Sequence, residues 1–132
     1  MFRFSRDNFL DPDFTVPINS TQEDGVGFTS KEIPLAFAQS AALSFYAKGN
    51  NVGCSKDIIF KFAAYDSKRD QWDTIDVLAL GAGVPITVNG TTTVQKTIAI
   101  EADFEKIKLL SIQNQETVAG YTVDVNVSIF IK

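Results

Sequence analysis

The chain has 132 residues, 45% of them hydrophobic and 21% charged, with a net charge of −4 and no histidine. That length suits one domain whose core needs neither disulfide nor metal. The acidic balance and scattered Lys and Arg argue against a nucleic-acid partner, and the missing histidine excludes Ser-His, Cys-His and His-metal chemistry.

Residues 1–30 read as an extended N-terminal arm. Phe2, Phe4, Phe9, Leu10 and Phe14 are spaced irregularly among Arg3, Arg6, Asp7, Asp11 and Asp13. Pro12 and Pro17 discourage helix and ladder alike. A short strand is expected at residues 14–18, and residues 22–27 read as a turn.

Residues 31–132 read as one β-sandwich domain. The segment 31–35 is short, apolar and interrupted by Pro34, which suits a sheet edge. Residues 41–48 alternate, with Leu43, Phe45 and Ala47 against Ser44, Tyr46 and Lys48. Turn residues 49–53 close that strand. Residues 57–65 follow as a strand rich in Ile and Phe, then a polar loop at 66–70 and a partner strand at 71–80. Gly81, Ala82 and Gly83 break it.

Asn89-Gly90, flanked by β-branched residues, predicts a two-residue hairpin of type I′ between 86–88 and 91–94. Residues 96–100 extend its second strand, and residues 101–106 suit one helical turn. The penultimate strand is expected at 107–113. The last, at 121–132, alternates Tyr121, Val123, Val125, Val127, Ile129 and Ile131 against Thr122, Asp124, Asn126, Ser128 and Lys132, with Phe130 the exception. Seven to nine strands with frequent turns indicate an all-β antiparallel sandwich, of jelly-roll or immunoglobulin-like kind.

No catalytic residue and no metal or cofactor site emerges. Asp66, Asp70 and Asp73 lack the spacing of a calcium loop, so a charged hairpin tip is the simpler reading. Asp73 and Asp76 fall on opposite faces and do not form a catalytic pair. The lone Cys54 has no base to activate it. No signal peptide and no run of membrane-spanning length is read, so neither secretion by that route nor a membrane partner is expected. Trp72, Tyr46, Tyr65 and Tyr121 are the candidates for a sugar-stacking platform; for Trp72 and Tyr121 the strand pattern favours the core.

The arm has two readings. It folds back over an edge of its own sandwich, or it docks on a neighbouring subunit. The second reading makes Phe2, Phe4, Phe9 and Leu10 partner-binding residues, and it is the expectation taken forward.

Residues 60–64 leading to Trp72-Asp73-Thr74, the Asn89-Gly90 turn, the Thr91-Thr92-Thr93 run and the final strand resemble small β-sandwich proteins of tailed-phage virions. These are the decoration and minor capsid proteins of phage heads and related baseplate or fibre modules. The resemblance implies a non-enzymatic virion protein, made in a host cytoplasm, that binds the capsid lattice or its own copies as a homo-oligomer. The alternative is a carbohydrate-binding β-sandwich module of a host-recognition apparatus.

Overall fold

The computed structural model describes residues 5–10, 12–75 and 83–132, and all its regular elements are strands. In chain order they are β1 (Ser5–Asn8), β2 (Phe14–Val16), β3 (Ser20–Glu23), β4 (Ile33–Pro34), β5 (Ala41–Gly49), β6 (Asp57–Asp66), β7 (Gln71–Ile75), β8 (Val84–Thr87), β9 (Thr93–Ile100), β10 (Lys106–Asn114) and β11 (Val123–Ile131). They form two antiparallel sheets that enclose one core. The all-β sandwich expected from the alternating segments is the observed fold.

The first sheet runs β1-β11-β5-β9, and β2 shares with β1 the outer side of β11. The second runs β3-β10-β6-β7, with β4 also beside β10 and β8 also beside β6. Alternation in β11 and β5 explains the core directly. Val123, Val125, Val127 and Ile129 pair with Gly49, Ala47, Phe45 and Leu43, and all of these are buried. From the second sheet come Ile58, Phe60, Phe62, Ile107, Leu109 and Ile112. The Phe45 ring lies 5.0 Å from Phe60 and 6.0 Å from Phe62, so the sheets meet through aromatic contacts.

The register of β10 against β6 slips between Leu109 and Ser111. This bulge lets Leu109 and Ile112 both face the core although they lie three positions apart in sequence. At the end of the sandwich where β10 turns towards β11, buried polar groups tie the loops. The Glu116 carboxylate accepts hydrogen bonds from the Ser55 and Lys56 amides at 2.9 and 2.8 Å. Asn114 donates to the carbonyls of Val16 and Tyr121.

Four expectations need correction. Residues 5–30 are not a separate arm, because they supply β1 and β2 to one sheet and β3 to the other. Phe9 and Leu10 are 1% and 3% exposed within this chain's own core, so they are not free for a partner. The Phe9 ring meets Phe62 at 5.4 Å, and its amide donates to the Val127 carbonyl at 3.0 Å. Irregular spacing hid this role, because a core residue beside a short edge strand needs no periodicity. Phe2, Phe4 and Asp11 lie outside the described residues, as do residues 76–80 of the expected strand, Gly81 and Ala82.

The Asn89-Gly90 segment is a turn but not a hairpin. β8 pairs with β6 in the second sheet, and β9 pairs with β5 in the first. Gly90 has φ +58°, whereas Asn89 is not in the left-handed region, so the type I′ geometry is not made. The Gly90 amide donates instead to the Cys54 carbonyl at 2.7 Å, and the chain crosses between sheets there. Ile86 and Val88 are buried, and tertiary burial overrides the local hairpin preference. Finally, residues 101–106 form no helical turn: 101–105 are irregular, and β10 begins at Lys106.

Candidate binding face of the second sheet

Tyr65 lies one residue before the end of β6 and Trp72 one residue after the start of β7, and the two are directly opposite each other in the register. Their side chains share the sheet's outer face, because inward positions of β6 are taken by Phe60 and Phe62. The rings stand 5.4 Å apart at 60°. Both are half-buried, and Trp72 is not part of the core, contrary to the expectation from its strand pattern. Tyr121 does pack against the core. Tyr46 lies on the other sheet, so the four aromatic candidates do not form one platform.

Two lysines from β10 frame the aromatic pair. The Lys106 ammonium lies 4.4 Å from the Tyr65 centroid and 5.5 Å from that of Trp72. The Lys108 ammonium lies 4.6 Å from Trp72. Lys108 also pairs with Asp24 at 2.9 Å, with both side chains under a fifth exposed. An ion pair shielded to this degree holds position better than an open surface pair. The lysine therefore fixes one side of the indole.

Beyond Lys108 the same face carries a groove of about 360 Å³, lined by Thr21, Glu23, Asp24, Lys61, Thr74, Leu110 and Ser111. The β10 bulge places Leu110 and Ser111 here. Asp24 is committed to Lys108 and to the Ser30 amide, which donates at 2.8 Å. Glu23 is then the one lining carboxylate without a side-chain partner among the described residues. Among the described lining residues, no second free carboxylate faces Glu23 across the groove as glycoside hydrolysis would use.

The hairpin tip between β6 and β7 is locked by its own charges. Arg69 donates to Asp66 at 2.9 Å and to Asp73, and the Tyr65 hydroxyl donates to Asp70. The Arg69 hydrogen bond holds the Asp66 carboxyl below its ordinary range, and the Asp66–Arg69 contact raises the guanidinium in turn. The hydrogen bond to Asp70 pushes the Tyr65 phenol up. Asp66, Asp70 and Asp73 thus brace the loop that presents Tyr65 and Trp72. Among the described residues no three of Cys, Asp and Glu gather where a metal ion would sit. Cys54 is buried, and Asp76 lies outside the described residues.

The sequence singled out Tyr65 and Trp72 but missed Lys106, Lys108, Thr21 and Ser111. Their meeting depends on the order β3-β10-β6-β7, which joins distant parts of the chain. The period-two pattern of β10 does carry a signal: Lys106 and Lys108 occupy consecutive outward positions.

No protein-family model matches the chain, and no curated protein matches it. Among solved structures, the K1 cleaved adhesin domain of Lys-gingipain from Porphyromonas gingivalis W83 is similar at 12% identity and a TM-score of 0.42. That alignment covers 99% of this chain and 98% of the other. The K3 cleaved adhesin domain of the same protein is similar at 10% identity and a TM-score of 0.36, over 70% of this chain and 57% of that one. These neighbours are bacterial adhesin domains and not virion proteins, so the resemblance to phage-head proteins is not supported. It rested on Thr- and Phe-rich strands without a cysteine framework, a style that antiparallel sandwiches share whatever their biological setting.

Proposed function

We propose that this chain is a non-catalytic β-sandwich binding module that takes carbohydrate on the outer face of its second sheet. The carrying observation is the Tyr65–Trp72 pair, set side by side and opening onto a groove of mixed polar and apolar lining. A saccharide has apolar ring faces and a rim of hydroxyls. Aromatic shelves suit the first, and hydroxyl, carboxylate and ammonium groups suit the second. Thr21, Thr74, Ser111, Glu23 and Lys61 supply such groups beside the shelf. The locked hairpin presents the aromatic pair in a fixed geometry, which lowers the ordering cost of binding.

The test is a glycan array followed by calorimetric titration of the best binder. Trp72→Ala is expected to weaken binding at least ten-fold while the protein stays folded, because Trp72 lies outside the core. Absence of any glycan binder would overturn the reading. So would a Trp72→Ala protein that binds as tightly as the parent.

A further inference from the structure

We infer a second, separate ligand site on the outer face of the first sheet, shaped for a single acidic sugar residue, carboxylated or sulfated. The site is a groove of about 150 Å³ spanning β1, β11, β5 and β9. It lies on the opposite side of the sandwich from Trp72 and does not depend on the reading of that face. Its volume is below that of a drug-sized pocket and suits one ring, not a chain.

The register builds it row by row. Ser128 on β11 sits directly opposite Ser44 on β5, and these two small residues form the floor. One row along, Asn126, Tyr46 and Gln95 line up across β11, β5 and β9. In the other direction Arg6 on β1 sits opposite Phe130 of β11. Small residues between larger ones give a depression in an otherwise regular sheet face. Asn126 and Phe130 are four residues apart, so the groove's ends lie roughly 13 Å from each other.

Asn126 and Asp13 bond to each other, but four other polar side chains of this groove are left without a protein partner. The side chains of Ser44, Tyr46, Gln95 and Ser128 have no hydrogen-bond partner among the described residues. Ser128 is the telling case, because it is only 3% exposed. Burying a hydroxyl without a partner costs free energy, so a residue this enclosed is normally bonded. No buried side-chain oxygen among the described residues is sealed off without a partner. The Ser128 hydroxyl is therefore reached from the groove and is available to a ligand seated there.

The charge of the ligand follows from the two ends. Arg6 forms no ion pair with any described residue, and its guanidinium stands 5.3 Å from the Phe130 ring. Held over that ring, it offers its donor fork to a carboxylate or sulfate. At the other end Asp13 accepts a hydrogen bond from the Asn126 amide and offers acceptor oxygens to ligand hydroxyls. An anion at the Arg6 end and hydroxyls at the Ser44, Ser128 and Asp13 positions describe an acidic sugar.

The test is a two-dimensional amide NMR titration of the full chain with glucuronate, glucose 6-sulfate and glucose as separate probes. The two acidic sugars, or one of them, are expected to shift the amides of Ser44, Tyr46, Gln95 and Ser128. The one that does so distinguishes carboxylate from sulfate. Arg6→Gln is expected to weaken that binding at least ten-fold without lowering the melting temperature, since Arg6 is exposed. Trp72→Ala is expected to leave it unchanged, which separates this site from the other face. No shift at these amides with any probe overturns the inference. Equal shifts from glucose, or an Arg6→Gln protein that binds like the parent, overturn the acidic specificity.

Discussion

The two edges of the first sheet are closed by different means. On one side of β11, the short strands β1 and β2 divide the edge between them, covering residues 128–131 and 123–125. On the other side, β9 runs unbroken for eight residues and, among the described residues, pairs with β5 alone. The first edge is sealed by packing: Phe9 and Leu10, which follow β1, and Val16 in β2 are all buried. The second is guarded by charge. Lys96 lies opposite Phe45, so it occupies a core-facing position, yet it is exposed. An inward-pointing charge on an edge strand is a known device against further strand pairing. A sandwich can thus protect an edge by filling it or by making it unattractive. Only the first method contributes stability.

The largest expected effect breaks the filled edge. Phe9→Ala is expected to cost about 3–5 kcal/mol, the usual range for deleting a buried aromatic side chain. Thermal unfolding of the purified variant measures it. A melting temperature within a degree or two of the parent would show that β1 and its flanking residues are an appendage and not part of the core. On the open edge, Ile98→Ala is expected to cost less, about 2 kcal/mol, because β9 is partly exposed and its neighbours can relax. If the Ile98 variant were the less stable of the two, the contrast between the edges would be reversed.

The same contrast explains what the sequence made legible. The long strands β5, β6, β10 and β11 are evident from alternation, and the inward row Val123 to Ile129 is where the pattern places it. The strands β1 and β3 carry no such pattern: both are polar, and they are fixed by pairing with β11 and β10. Turn chemistry located the Asn89-Gly90 corner but could not say which sheet each flank joins. Of the candidate face, Tyr65 and Trp72 were two of four aromatic candidates, Trp72 being expected in the core, and their pairing came from the register. The groove beside them was not visible, because Thr21, Thr74 and Ser111 meet only through sheet order. Glu116 was equally hidden: nothing local announces a carboxylate that will cap two amides sixty residues away.

The guarded edge gives the third prediction. Lys96→Val removes the charge and sets a valine between Val94 and Ile98, which makes an unbroken apolar row on an open strand. Thermal stability is expected to change by no more than about 0.5 kcal/mol, as for ordinary surface positions. Sedimentation velocity is expected to show concentration-dependent self-association that the parent lacks. Lys96→Glu, which keeps a charge there, is expected to sediment like the parent. Unchanged sedimentation of Lys96→Val would mean that something other than Lys96 keeps this edge unpaired.

The smallest effect concerns the second sheet, where the edge at β7 is braced by charges in the hairpin. Two groups there shift in opposite directions. Asp66 is lowered, chiefly by the Arg69 hydrogen bond. Its contribution is therefore present above the ordinary carboxylate range and is lost as pH falls through the lowered value. Tyr65 is raised, chiefly by its hydrogen bond to Asp70. A phenol that is harder to ionise when folded contributes below its ordinary value of about 10, and that contribution is lost as pH rises through the raised one. Both groups face solvent, so the change in stability is expected to be slight, and the ionisation itself is the better readout. Tyrosinate absorbance at 295 nm, compared between the parent and Tyr65→Phe, isolates the Tyr65 titration. Asp70→Asn is expected to bring that titration down towards the ordinary phenol range. It should also loosen the hairpin that presents Trp72. A Tyr65 titration that stays where it was in Asp70→Asn would remove the carboxylate as the cause of the shift and, with it, the brace assigned to this edge.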